Sequence, residues 1–543
     1  MKSLVLFRGT LIRNELTQLS GTDGSRNMKI NESKPLQMTK PPGTISLQFD
    51  WKSILWLLLF SFIILTRFHH LGDKPFHHDE SLYAKYIWNF FTGSGYKYDP
   101  MQHGPFLFHF SQIILFMFGV TNFTIRILPA TTGLFLTFFL FTIRKRLPGN
   151  TALIAGWIFG INAVFMYFQR FLRHDPFFAL FAVLTALFFY MWYQDRKPWQ
   201  MYSASAALSC LVCIKENAFI QALIMFTFVF VYLFTKIIEK NQDGKRGGLK
   251  SVVDAMYRFP LTTKIMVATI YWGISFVIYA AGYMLYKAEF SNWEKMVQNY
   301  WMIIFGLFFF LVIGLVYLSE QRRGGKSDKK FLGLQPEFYN DSYIFALTAF
   351  VFVGIFVVLY TTVFTHMDGF WGGVYEWFVY WEHQHRIQRI AGPFHYYHHQ
   401  MLIYAFLPFS VVITGFLSRA FIRTPMFTSV YIAAFIVVFY VFNNVLDPIP
   451  YITSNNLFTN AHIALALGVF IAGFLMVMSY IREKSFLKAF LLWWTIFAYI
   501  VYSYLQEKVP WLTMHIITPM ILLSAVYLSD IFSDSTKNFA EMW

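Results

Sequence analysis

The sequence predicts an all-α polytopic integral membrane protein, a bundle of about 13–14 transmembrane helices with amphipathic interfacial helices in its first external loop. Three observations predict it. Hydrophobic residues make up 57% of the 543-residue chain and charged residues only 13%, against roughly 25% charged in soluble domains. Apolar runs near the ~20 residues that cross a hydrocarbon core recur along nearly the whole length. Lysine and arginine then gather in every second connection, as they do in cytoplasmic loops.

The first 50 residues are polar, carry scattered charge and Pro41-Pro42, and show no sustained apolar period. They read as a disordered cytoplasmic tail. No short apolar stretch with a cleavage site stands near the start, so no cleaved signal peptide is expected, and Met28 is a second candidate start. Residues 51–535 read as the transmembrane domain and 536–543 as a cytoplasmic end. Crossings are expected near 53–67, 126–143, 150–168, 176–193, 200–214, 217–235, 264–286, 299–319, 342–364, 400–417, 426–442, 462–481, 486–504 and 512–530. The fifth is short and pairs with the sixth as one bent unit in an alternative reading.

With the N-terminus in the cytoplasm, the tail, Arg144-Lys145-Arg146, Arg196-Lys197, the 236–264 loop, Arg322 to Lys330, Arg419, Arg423, Arg482 and Lys484 all fall inside. Most of the 44 Lys and Arg residues are accounted for in this way, as the positive-inside rule requires. The net charge of +15 therefore reflects topology and calls for no nucleic-acid partner. The same sorting puts all fifteen histidines outside or at outer helix ends. Because histidine serves as acid, base and ligand, the working face is expected to be external. The two cysteines, Cys210 and Cys213, form no disulfide framework. Their CxxC lies in an apolar helix without a βαβ context, so small-residue packing is preferred to thiol chemistry.

Four external segments carry chemistry. The loop 68–125 contains His77, His78, Asp79, Glu80, Asp99 and His103. Its middle is amphipathic, with Tyr83, Ile87 and Phe90 on one face, and 105–118 reads as a second interfacial helix. Asp79-Glu80 opens the amphipathic helix, where an N-cap is the structural alternative to a functional carboxylate. The segment Tyr167–Pro176 brings Arg170, Arg173 and Asp175. The arginines suit lipid headgroups by snorkelling or a phosphate by bidentate bonding, and Asp175 before Pro176 suits a helix cap. Lys215-Glu216-Asn217 is a charged turn between apolar helices, either a structural Lys–Glu pair or functional. The His- and aromatic-rich loop 365–400 joins Glu507, Lys508 and His515 in the fourth group. His395, His398 and His399 could share a helix face and bind a metal, but no recognised ligand spacing is present, so a solvated aromatic-histidine lid is preferred.

These segments resemble the GT-C clan of membrane glycosyltransferases, which are similar to protein O-mannosyltransferases and the aminoarabinose transferases of lipid A. The acidic pair after the first crossing, Arg126-Ile127-Leu128-Pro129, and the Arg-x-x-Arg-x-Asp segment carry the likeness. A narrower family of that clan, labelled flippase activity-associated, is matched by His77-His78-Asp79-Glu80-Ser81, Tyr98-Asp99-Pro100 with His103-Gly104-Pro105-Phe106, Arg170 to Asp175, Lys215-Glu216-Asn217 and Glu507 to Leu512.

The resemblance implies a sugar donor linked to polyprenyl phosphate and an acceptor bound from outside. It implies Asp79 as general base with Glu80 in support. Arg170, Arg173, Lys215 and Lys508 would hold the donor phosphate. His77, His78, Asp99, His103, Asp175, Glu507 and His515 would assist. The acidic residues leave a divalent metal ion open as a cofactor. The chain ends at Trp543 without the large soluble domain of some clan members, so acceptor recognition is expected from membrane-face loops. The expected function is sugar transfer to a glycan, lipid or protein on the external face of a prokaryotic cytoplasmic membrane. The alternative is a lipid-linked-sugar flippase or accessory protein using the same cations.

Overall fold

The computed structural model of the chain describes residues 50–242, 342–377, 380, 395–419, 429, 460–505 and 508–542. Every regular element among them is helical, and the chain is an all-α polytopic membrane protein. Six of the described helices are long and apolar enough to cross a membrane, or up to seven if one sharply bent pair is a single span. The crossings expected near 264–286 and 299–319, that near 426–442 apart from residue 429, and residues 1–49 of the tail lie outside the described residues.

Helix α1 (Trp51–Phe68) turns Trp51, Leu57, Leu58 and Leu65 outward, which only lipid makes inexpensive. On its inner side Leu59 packs against Gly156 and Gly160 of α5 (Thr151–Ile161), where a Cβ would come within 2.8 and 3.0 Å of the leucine methyls. Small residues four apart let membrane helices approach closely.

The external loop then forms α2 (His78–Asn89) and α3 (Phe106–Phe118). On α2 the expected face is found, with Tyr83 and Ile87 buried. At 1.5 Å per residue, 13 residues of α3 reach about 20 Å, short of a ~30 Å hydrocarbon core. Helix α4 (Thr124–Thr142) follows.

The stretch expected as one crossing at 150–168 is two helices. Asn162 takes an extended conformation and its Oδ1 accepts the amides of Val164 and Phe165, ending α5 and starting α6 (Ala163–Phe168). The break frees carbonyls at the end of α5, and Arg67 donates to Gly160 at 2.8 Å and Phe159 at 3.2 Å. This is how orphaned helix-terminal groups are satisfied.

Helix α7 (Asp175–Asp195) is buried on most sides and leads to α8 (Pro198–Val212) and α9 (Ala218–Gln242). Ser205 and Ser209, one turn apart on α8, donate to Thr348 and Phe352 of α10 (Ser342–Tyr360) at 2.6 and 2.7 Å. Cys210 and Cys213 are unpaired, partly and fully buried, in keeping with packing residues. The crossing expected at 400–417 is likewise broken: α11 (Tyr396–Tyr404) and α12 (Phe406–Ser418) meet at 110°. Asn162 Nδ2 donates to Tyr404 O at 3.3 Å, so the two breaks meet. Helices α13 (Asn460–Arg482), α14 (Phe486–Tyr504) and α15 (Thr513–Met542) complete the described bundle.

The bundle has two chemically different ends. At one, Arg146 pairs with Asp195, Lys488 lies 2.5 Å from Asp530, and Asn150 N donates to Ser529 Oγ at 2.8 Å. At the other lie the start of α2, the α6–α7 loop, the α8–α9 turn and the start of α15.

Candidate active site

The first element of the site is the beginning of α2. The helix is capped by His77, whose Nδ1 accepts the Asp79 amide at 3.3 Å, while Glu80 accepts the His77 amide at 3.0 Å. The cap expected of Asp79 is therefore supplied by His77, and the Asp79 carboxylate is left for other work.

Glu80 is fully buried, and both its oxygens accept from Arg126 at 2.8 Å, with the Leu172 amide at 2.9 Å. Arg126 spends its remaining donors on the carbonyls of Leu71, Lys74 and Pro75. This Glu80–Arg126 clasp joins α2, α4 and the loop that presents Arg173, placing Glu80 beneath the site. Sequence reasoning passed over Arg126 as a site residue, although an arginine beginning an apolar helix needs a partner.

Arg173 is the hub. Its Nη1 donates to Asp79, its Nε lies 3.3 Å from Asp175 Oδ2, and its guanidinium lies 3.7 Å from the centre of the Trp511 ring. Asp175 does not cap α7 with its carboxylate. Its Oδ1 instead receives Lys215 Nζ at 3.0 Å and faces His515 Nε2 at 2.9 Å. The His515 Nδ1 meets the Tyr502 hydroxyl at 3.1 Å. The bland Lys215–Glu216 pair is not formed either, since Glu216 faces His103 Nδ1 at 2.8 Å.

That His103–Glu216 contact belongs to a longer seam. Gly104 N donates to Ile214 O at 3.1 Å and Phe106 N to Cys213 O at 2.9 Å. A Cβ on Gly104 would lie 2.1 Å from Cys213 O, so only glycine lets the two backbones anneal. His103-Gly104-Pro105-Phe106 thereby sets the position of the Lys215 turn. Between seam and hub, His174 packs edge-on against Tyr83 and His103. Burial, with His103 and Lys215 nearby, holds its imidazole well below the usual histidine range.

Other expected residues lie apart from the hub. Arg170 donates to Thr66 O at 2.7 Å and His70 O at 3.1 Å. Lys508 donates to Tyr502 O at 3.2 Å, Ser503 O at 2.6 Å and also Leu505 O, capping the carboxyl end of α14. A cation there satisfies orphaned carbonyls and the helix dipole. Burial brings the Lys508 ammonium down to about 7, while its carbonyl acceptors favour the charged form. Asp99 caps a short turn through the Met101 amide at 2.9 Å, and His77 and His78 are exposed. Glu507 lies outside the described residues.

No group of three or more His, Cys, Asp or Glu among the described residues is placed to hold a metal ion. Asp79 and Asp175 are engaged by Arg173 and Glu80 by Arg126. These described carboxylates are taken up by cations of the chain itself.

Residues 102–242 match the family model described as dolichyl-phosphate-mannose-protein mannosyltransferase. The matched segment contains the α6–α7 loop with Arg173 and Asp175 and the Lys215 turn, and it supports the GT-C resemblance carried by the motifs. Similar solved structures include ArnT from Cupriavidus metallidurans bound to undecaprenyl phosphate, with 16% identity, a TM-score of 0.41, and coverage of 87% of this chain and 60% of that one. The archaeal oligosaccharyltransferase AglB from Archaeoglobus fulgidus, in complex with an inhibitory peptide and a dolichol-phosphate, has 15% identity and a TM-score of 0.39. That likeness covers 90% of this chain and 51% of AglB, so this chain spans about half to three fifths of these two. No curated protein matches.

Proposed function

We propose that the protein is a GT-C-type glycosyltransferase that moves a sugar from a polyprenyl-phosphate carrier to an acceptor hydroxyl. The observation that carries this reading is the Arg173 hub: two cations and two carboxylates at one end of a membrane bundle, with Asp79 as the accessible carboxylate. A lipid-phosphate leaving group needs its developing charge neutralised, and cations fixed in a water-poor site do this well. Arg173 offers a planar fork suited to phosphate oxygens, with Lys215 behind it.

In the proposed reaction Asp79 accepts the proton of the acceptor hydroxyl as its oxygen bonds to the anomeric carbon. The carbon–oxygen bond to the phosphate breaks, and its electron pair leaves with the phosphate. Direct displacement inverts the anomeric centre. The acceptor is a glycan, a lipid or a protein. Positively charged connections at the opposite end support an external site and a cytoplasmic N-terminus. The family resemblance supports the cytoplasmic membrane of a prokaryote as its home.

The test is sugar transfer by purified protein in lipid, with a panel of polyprenyl-phosphate sugars and membrane acceptors. Wild type should transfer, and Asp79→Asn should lose about 10²–10⁴-fold, the usual worth of general-base catalysis. Undiminished transfer by Asp79→Asn would remove Asp79 from the chemistry. Donor binding without turnover in either protein would favour a flippase or accessory role.

A further inference from the structure

The two carboxylates on Arg173 are not equivalent. Asp175 has a side chain 1% exposed and is also held by Lys215 and His515. Asp79 has a side chain 28% exposed and shares the outer edge of the guanidinium. Arg173 itself is 4% exposed and lies against the Trp511 ring. Asp175 and Trp511 would keep Arg173 in place if Asp79 left. An anion arriving from outside can therefore take the Asp79 position without moving the arginine.

Charge balance points the same way. Arg173 and Lys215 face Asp79 and Asp175, so this cluster has no surplus positive charge with which to attract a phosphate. A phosphodiester carries one negative charge, as a carboxylate does. Exchanging one for the other preserves the balance where an uncompensated buried charge is costly.

We propose that the phosphate of the lipid-linked donor displaces Asp79 from Arg173, and that this exchange unmasks Asp79 as the base. This rests on the transferase reading and adds an order to it. An acceptor that arrives first meets a carboxylate still engaged by Arg173. A donor that arrives first ties up Arg173, and the freed carboxylate then faces the acceptor hydroxyl. Donor binding thus switches on the base, and an empty enzyme is held inactive.

The exchange is tested by binding alone, with the methyl esters of dolichyl and undecaprenyl phosphate, diesters that carry the donor's single negative charge but no sugar, titrated into the full chain in lipid nanodiscs. Losing a hydrogen bond to a charged partner is worth roughly tenfold or more in affinity. Asp79→Asn should therefore bind these diesters about tenfold tighter than wild type. In an Arg173→Gln background the same substitution should give no tightening, because the competition is for that arginine. Equal affinities of wild type and Asp79→Asn overturn the exchange and leave the transferase reading standing. Tightening that persists with Arg173→Gln reduces it to simple charge repulsion and also overturns it. Failure of both wild type and Asp79→Asn to bind overturns exchange and transferase together. Should Arg173→Gln not fold, infrared difference spectra of protein carrying ¹³C-labelled aspartate give the answer. The Asp79 carboxylate band, assigned by its absence in Asp79→Asn, should shift when the diester is added; an unmoved band rejects the proposal.

Discussion

Asp79 and Glu80 are neighbours in the chain with opposite surroundings, and the difference sets what each can do. The Asp79 side chain is 28% exposed and engages one outer edge of Arg173. Glu80 is buried, and its two oxygens are taken up by Arg126, the Leu172 amide and the His77 amide. A carboxylate whose oxygens are all engaged in this way serves as a clasp rather than as a reacting group. Replacing Glu80 by Gln leaves Arg126 charged and buried without its counter-ion. Breaking a buried pair from one side costs about 3–5 kcal/mol. Thermal unfolding in lipid nanodiscs should therefore show a large loss for Glu80→Gln and little for Asp79→Asn, with transfer activity ranking the two by different causes. Comparable unfolding temperatures for the two variants would mean that the clasp is not structural. The acidic pair was legible as important in the sequence. Its division of labour was not, because the partner Arg126 lies 46 positions away and only the fold brings it in.

At the scale of elements, the seam between residues 103–106 and 213–216 positions the Lys215 turn. Gly104→Ala puts a methyl against Cys213 O, which is backbone and has little room to give. The two segments must separate, carrying Glu216 from His103 and Lys215 from Asp175. We expect Gly104→Ala to reduce sugar transfer by at least tenfold, since displacements near 1 Å at a reacting centre cost about a hundredfold. The separation can be read independently as new reactivity of buried Cys213 toward a membrane-permeant thiol reagent. Normal transfer with Cys213 still protected would show that the seam does not set the turn. The helices themselves were legible from unbroken apolar runs, but their interruptions were not. Asn162 is one polar residue in such a run, and its capping geometry appears only with the extended backbone before Val164. At Ala405 the signal was Pro408, which has no N–H to donate to the Tyr404 carbonyl four residues back and whose ring crowds it; that carbonyl accepts from Asn162 instead. The helix cap at His77 was missed for a related reason. Asp79 close beside it looks like the better cap, and it is the distant Arg173 that draws that carboxylate away.

For the whole molecule, the separation of chemistry into two ends was the feature most legible in the sequence, because it rests on counts of charge along the chain rather than on contacts. The structure puts Asp79, Arg173, Asp175, Lys215 and His515 together at one end, with Arg146, Asp195, Lys488 and Asp530 at the other. The first group comes from segments up to 436 residues apart, from Asp79 to His515, so their convergence was beyond any local pattern. Which end faces the cytoplasm is the proposal that the positive-inside rule supports, and it can be tested without knowing any substrate. Cys210 and Cys213 are partly and fully buried, so a thiol introduced at an exposed position can be read against a low background. Ser81, beside the candidate base, and Lys145, in the basic connection after α4, are both exposed. In intact cells a membrane-impermeant maleimide should label Ser81→Cys at once and Lys145→Cys only after the membrane is opened. The reverse order would turn the bundle over and move the candidate base to the cytoplasmic face. The donor would then be a carrier loaded and used on the same side, and the acceptor would be sought among cytoplasmic molecules.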